Sequence, residues 1–361
     1  MSRAYNFNAG PAALPDEVLE KAQKEMLDFN NTGMSVMELS HRSSDYEQVH
    51  NQAQERLRHL LDIPDDYDVL LLQGGASLQF SMLPMNVLRS GETANYILTG
   101  SWSEKALKEA QMIGQTRVGA SAKEQNFTHI PDVDALQLDS RDKYVHITTN
   151  NTIFGTQWQE LDYNWLSPVV ADMSSDILSR PVPVSSFGAI YAGAQKNLGP
   201  SGVTVVIVKK DWVDQAPEHT PTMLRYDTHA EKNSLFHTPP TFAVYLLNEV
   251  LGWVEERGGV LGMQQRNKEK AALLYDTIDG SDGFYRGHAE TDSRSSMNVT
   301  FNLPTEDLNK QFLAEAKQAG FVGLNGHRSV GGCRASIYNA VSKESCQALQ
   351  DFMLTFQKNH Q

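Results

Sequence analysis

Five short apolar runs, separated by stretches with helical patterning, constrain the fold of this chain more than any other feature. Residues 69–72, 94–98, 144–147, 169–171 and 189–192 are nearly continuous in hydrophobicity. Strands covered on both faces read this way, whereas strands with one wet face alternate apolar and polar positions. Runs of this kind alternating with helices predict an α/β fold, a large domain with a mainly parallel central sheet. Ahead of them, residues 16 to about 30 read as a helix, with Asp16 after Pro15 as its N-cap.

The pattern changes beyond Pro239-Pro240. A long helical stretch from about Thr241 towards Ile278, interrupted at Gly258-Gly259, reads as a connection between units. A smaller α+β unit follows: a strand at 297–303, a helix at 308–319, a glycine-rich turn region at 320–332 and a last helix after Ser342. The expected division is a large domain over 16–255 and a small α+β domain made of 1–15 and 256–361.

The chain has 361 residues and a formal net charge of -13. A field of that sign repels polyanions, so neither nucleic acid nor an anionic membrane is an expected partner. Any anionic ligand must instead be caught by a local cluster of cations. Cys333 and Cys346 are too few for a disulfide scaffold. The first residues lack a signal-type apolar run and no stretch is long enough to span a bilayer, so a soluble cytoplasmic protein is expected. No metal is expected.

Chemistry concentrates just after the strands. In Gly193-Ala194-Gln195-Lys196-Asn197, a lysine leaves an apolar strand where open α/β sheets hold their ligands. Partial desolvation there lowers a lysine's pKa and makes it a Schiff-base nucleophile, although a solvated loop lysine would look the same. Asp172 ends another apolar strand. Pyridoxal phosphate (PLP) needs such a carboxylate against its pyridine nitrogen, because a protonated ring is the better electron sink, while turn capping is the alternative role. In Gln73-Gly74-Gly75-Ala76-Ser77, glycines at a strand-to-helix turn permit a phosphate cradle, and equally a plain turn. Trp102 follows the strand at 94–98 and offers a ring to stack on a cofactor, or a core anchor. Thr152 offers a hydroxyl, or serves its turn.

These residues closely resemble the phosphoserine aminotransferase family, in the class V group of fold-type I PLP enzymes. The likeness covers essentially the whole chain: Asn8-Ala9-Gly10-Pro11-Ala12, His41-Arg42, Gly74-Gly75-Ala76-Ser77, Asn151-Thr152, Ala171-Asp172, Gly193 to Asn197, Thr238-Pro239-Pro240-Thr241 and Gly326 to Arg334. The resemblance implies amino transfer from glutamate to 3-phosphohydroxypyruvate, giving O-phosphoserine and 2-oxoglutarate in serine biosynthesis. It also implies action on a phosphorylated hydroxy-threonine precursor in pyridoxine biosynthesis. Carried onto this chain, it makes Lys196 the Schiff-base lysine, Asp172 the partner of the ring nitrogen, Trp102 the stacking ring and Thr152 the partner of the phenolic oxygen. Ala76, Ser77 and Gln195 would hold the cofactor phosphate together with His237 and Thr238 of a second subunit, which implies a homodimer with shared sites. His237 departs from the family's usual Asn, and its charge would vary near neutral pH.

A substrate carrying both a carboxylate and a phosphate needs two cationic grips. Arg334 suits the carboxylate, because guanidinium engages it through paired hydrogen bonds. His41, Arg42, His327 and Arg328 are candidates for the phosphate, with solvated surface pairs as the alternative. Three other readings stay open. A cysteine desulfurase or glyoxylate-using aminotransferase would share the chemistry, the former with Cys333 as nucleophile. A dinucleotide-binding oxidoreductase would use Gly74-Gly75 without a G-x-G-x-x-G fingerprint. A non-catalytic PLP-binding protein would leave the apparent catalytic set idle.

Overall fold

The computed structural model describes residues 3–160 and 165–361; residues 1–2, at the head of the segment expected to join the small unit, lie outside the described residues. Seven strands form the central sheet: β1 (Tyr67–Leu72), β2 (Thr93–Leu98), β3 (Gln115–Ser121), β4 (Asp142–Thr148), β5 (Val169–Asp172), β6 (Phe187–Gly193) and β7 (Thr204–Lys209). Their order across the sheet is β1-β7-β6-β5-β4-β2-β3. β7 pairs antiparallel with both β1 and β6, and every other pairing is parallel. All strands but β7 therefore run one way. The five expected strands are there, joined by β3 at an edge and by β7.

Alternation within each strand explains the continuous hydrophobicity. Val69, Leu71, Val205 and Ile207 enter one apolar core with Leu247 and Leu251, while Leu70, Leu72, Val206 and Val208 enter another with Phe80 and Leu83. Helices Thr241–Glu255 and Gly75–Val87 supply those opposite covers. A strand packed on both faces has no position at which a polar residue is free of cost. That is why the sheet reads so clearly.

Two local expectations need correction. The first long helix ends at Glu25, not near Asn30, and Asp16 is its first helical residue with Pro15 as the cap. Its carboxylate still favours the helix start through the macrodipole. Helix Ser44–Leu60, which the apolar runs do not announce, begins where the Ser43 hydroxyl accepts a bond from the Tyr46 amide at 3.4 Å.

The connection after Pro240 is two helices, Thr241–Glu255 and Gly259–Asp279, broken at Gly258, whose φ of 85° suits a residue without a side chain. Next come antiparallel strands Arg286–Gly287, Asn298–Asn302 and Cys333–Ser336, and helices Glu306–Gln318 and Lys343–His360. They share a third apolar core built on Phe301, Phe312, Phe321 and Phe356. Phe7 joins that core, and Tyr5–Asn6 pairs in parallel with Phe321–Val322, so the chain's beginning packs with its end.

Candidate active site

The parallel strands deliver their carboxyl ends to one edge of the sheet. The chain order reverses between β2 and β4, and such switch points open a crevice. Six of the expected residues arrive there directly. Asp172 is the last residue of β5, Lys196 follows β6, Thr152 follows β4, Trp102 opens the helix after β2, and Ala76 and Ser77 open the helix after β1.

Lys196 Nζ donates to Thr152 Oγ1 at 2.6 Å and lies 5.3 Å from the centre of the Trp102 ring. Burial lowers its pKa to about 8; the nearby Asp172 carboxylate opposes that shift and Arg334 reinforces it. The amine is thus partly neutral at working pH, as a nucleophile must be. Asp172 is buried, and burial pushes its carboxyl upward against the pull of Lys196 and Ser174. Its Oδ1 accepts bonds from the Ser174 amide at 3.0 Å and the Ser174 hydroxyl at 2.6 Å. That hydroxyl in turn accepts from the Gly193 amide at 3.1 Å, tying the end of β5 to the end of β6. Oδ2 has none of these bonds and remains for a ligand.

The glycine turn expected to cradle a phosphate opens onto an uncapped helix start. Gly74 and Gly75 have φ of 90° and 67°, and the helix Gly75–Val87 that follows has no side-chain cap, so its first amides are unclaimed. A Cβ on Gly74 would sit 2.5 Å from Leu78, so only glycine fits that turn. Trp102 presents a flat face beside Lys196, and its indole N–H is buried without a partner. A desolvated amine, a carboxylate with one free oxygen, an aromatic wall and a helix start open to anions together fit PLP.

The cationic residues divide. Arg334, on strand Cys333–Ser336, reaches the crevice: its Nη1 donates to the Thr152 carbonyl at 3.2 Å, while its Nε is buried and unpartnered. Burial lowers the pKa of His327, and Arg334, Arg328 and Lys105 add to that effect. Lys105 therefore belongs to the same cluster, 4.4 Å above the Trp102 ring, and the sequence reading missed it. Its spacing of three residues after Trp102, one helical turn, was the available signal. His41 Nε2 is buried and unpartnered, and Arg42 is exposed. No described contact brings either one to Lys196 within a single chain. His237 bonds Gln73 of its own chain at 2.9 Å, and Gln73 donates to the Thr238 carbonyl at 3.4 Å, so this pair abuts the strand that feeds the cradle. The Gln195 side chain folds back over Gly193. Ser174 was missed as the clamp on Asp172; its position two residues on, within reach of an aspartate side chain, was the clue.

The model of the aminotransferase class-V family matches residues 4–349. A phosphoserine aminotransferase from Halalkalibacterium halodurans is 65% identical over 360 residues, covering 100% of both chains. This chain belongs to the phosphoserine aminotransferases. The solved phosphoserine aminotransferase of Bacillus circulans subsp. alkalophilus superposes with a TM-score of 0.98 at 58% identity, over 99% of each chain. Another, described as showing radiation damage of the Schiff base in a phosphoserine aminotransferase, does so with a TM-score of 0.97 at 62% identity, over 99% of this chain and 100% of that one. Family membership makes the protein a PLP-dependent aminotransferase, so the oxidoreductase, desulfurase and non-catalytic readings fall away. Cys333 is buried, with its thiol pushed up by desolvation, the opposite of a nucleophile. No helix among the described residues is long and apolar enough to cross a membrane.

Proposed function

We propose that Lys196 binds PLP covalently and that Asp172, Trp102, Thr152 and the Ala76-Ser77 helix start hold it, with Gln195, His237 and Thr238 completing the phosphate end. The reaction is the family's: an amino group passes from glutamate to 3-phosphohydroxypyruvate, giving O-phosphoserine and 2-oxoglutarate. When bound, PLP supplies an electron sink for the pair left behind when the substrate α-carbon loses its proton. Asp172, clamped by Ser174, would keep a proton on the ring nitrogen. Lys196 Nζ, when free, would take the substrate's α-proton, held in line by its bond to the Thr152 hydroxyl. The observation that carries the assignment is the amine of Lys196, desolvated and placed between the Trp102 ring and the Thr152 hydroxyl.

Arg334 grips the carboxylate common to both substrates, and its buried, unpaired Nε supports this role. His327 and Arg328, with His41 and Arg42 of a second subunit, take the substrate phosphate. Leu27, Met34 and Met37, in the segment leading to His41, are exposed apolar side chains of the kind a partner subunit covers. The functional unit is accordingly a homodimer. The same grips accept a phosphorylated hydroxy-threonine, which extends the role to pyridoxine biosynthesis. Two free, buried cysteines accord with a reducing cytoplasm. Residues 16–255 form the PLP-binding domain, and 1–15 with 256–361 form the small one; their separate apolar cores support the division.

The test is amino transfer to 2-oxoglutarate from O-phosphoserine and from serine. A kcat/KM at least about a hundredfold higher for the phosphorylated donor is expected, since a cluster of cations left without its anion discriminates against the smaller substrate. Equal values would remove the phosphate grip.

A further inference from the structure

Lys270 is the one lysine among the described residues that is almost wholly buried, 2% exposed, and no carboxylate pairs with it. Its Nζ donates to three carbonyls: Ile337 at 2.9 Å, Tyr338 at 2.7 Å and Val341 at 3.0 Å. Three donors meet three acceptors, so the ammonium fills a cage that would otherwise attract a small cation. Burying an ammonium without a carboxylate is costly, and the three carbonyls, which an apolar residue would leave unsatisfied, offset that cost. A fold keeps such a group where the shape it imposes matters.

The turn that Lys270 holds has two tethers to the reactive lysine. The Tyr338 hydroxyl donates to the Ala9 carbonyl at 2.7 Å, and the next residue, Gly10, packs so tightly on Lys196 that a Cβ there would lie 3.3 Å from Lys196 Cγ. The Asn339 amide donates to Asn197 Oδ1 at 2.9 Å, and Asn197 adjoins Lys196. Asn267, one helical turn before Lys270, fixes the Asn339 side chain at 2.8 Å. The same turn follows strand Cys333–Ser336, which carries Arg334. We infer that Lys270 is a built-in cation that sets the turn Ile337–Val341, and through Tyr338 and Asn339 positions Lys196 between its two neighbouring segments. It is a positioning residue, remote from substrate, and its role in turnover rests on the reading of Lys196 given above.

Lys270 also lines a cleft of about 900 Å³, bounded by the N-terminal segment and helices Gly259–Asp279 and Lys343–His360. A small amine can therefore enter if the side chain is shortened. In Lys270→Ala, kcat/KM should fall about tenfold or more, as misplacement of a reacting group does. Amide exchange should rise in peptides covering 6–12 and 193–200 and stay unchanged in β3, at the sheet's far edge. Propylammonium should restore both, and 1-propanol, of equal length and uncharged, neither. Wild-type exchange and kcat/KM in the variant would overturn the inference, as would equal rescue by the alcohol, which would mean that filled volume and not charge is what counts. If Lys270→Ala does not fold, Tyr338→Phe removes the hydroxyl tether to Ala9 and leaves the cage of backbone carbonyls intact; it must raise exchange at 6–12 and lower kcat/KM, or the tether is refuted. Amide exchange reads the tether even if the wild-type protein proves inactive with O-phosphoserine, so failure of the functional reading is told apart from failure of this one.

Discussion

The inner and outer ends of the crevice are built on opposite plans. At the inner end, Lys196, Asp172, Thr152 and Trp102 leave strands whose neighbours fix them; Lys196 is already bonded to Thr152 and set beside the Trp102 ring, and Asp172 is bonded to Ser174, in a single chain. At the outer end, Arg42 and Arg328 are exposed on turns, and His41 has a buried nitrogen with no partner. Preorganisation is thus concentrated where electrons move. On the proposed reading, the phosphate grip is left to loops and to a second subunit. Arg334 stands between the two ends, anchored to the Thr152 carbonyl and open towards the outer cations.

The contrast can be broken from the inner end first. Asp172→Asn should lower kcat about a hundredfold or more for every amino donor, because a preorganised charge is lost at the reacting centre. A loss confined to phosphorylated donors would mean that Asp172 belongs to the outer set. Arg334→Ala should raise KM for both substrates, with kcat/KM down about tenfold to a hundredfold, from the roughly 1.5–3 kcal/mol of a charge-assisted hydrogen bond. An effect on only one substrate would refute a shared carboxylate grip. Arg328→Ala should cost about tenfold in kcat/KM with O-phosphoserine and leave serine unchanged; equal losses would place it in the inner machinery. The smallest effect concerns pH. Since the depressed Lys196 pKa lies near 8, the neutral amine gains ground as pH rises, and PLP uptake by cofactor-free protein should speed up through about pH 8 and then level off. A rate that keeps rising about tenfold per pH unit up to pH 9.5, without levelling, would show that the amine is not desolvated.

The same contrast explains what the sequence disclosed. Val69 to Leu72 and Val169 to Ala171 were legible because both faces of each strand are covered, and the residues just after them could then be placed at the sheet's edge. The helix Ser44–Leu60 was not, because half of its surface is wet and its apolar positions are spaced by helical turns. The edge strand Gln115–Ser121 likewise shows only one buried residue, Gly119. Lys105 and Ser174 escaped because their roles depend on a neighbour's ring and carboxylate, which no local pattern announces. Lys270 was the most deeply hidden. In a helix whose other lysine faces water, only the arrival of the turn Ile337–Val341 from far along the chain makes it special.

The most direct measurement is borohydride reduction of the purified, PLP-loaded protein, followed by peptide mass mapping. A single phosphopyridoxyl group on Lys196, absent from Lys196→Ala, is the predicted result. A label on any other lysine, or no label in protein that carries PLP, would contradict the account.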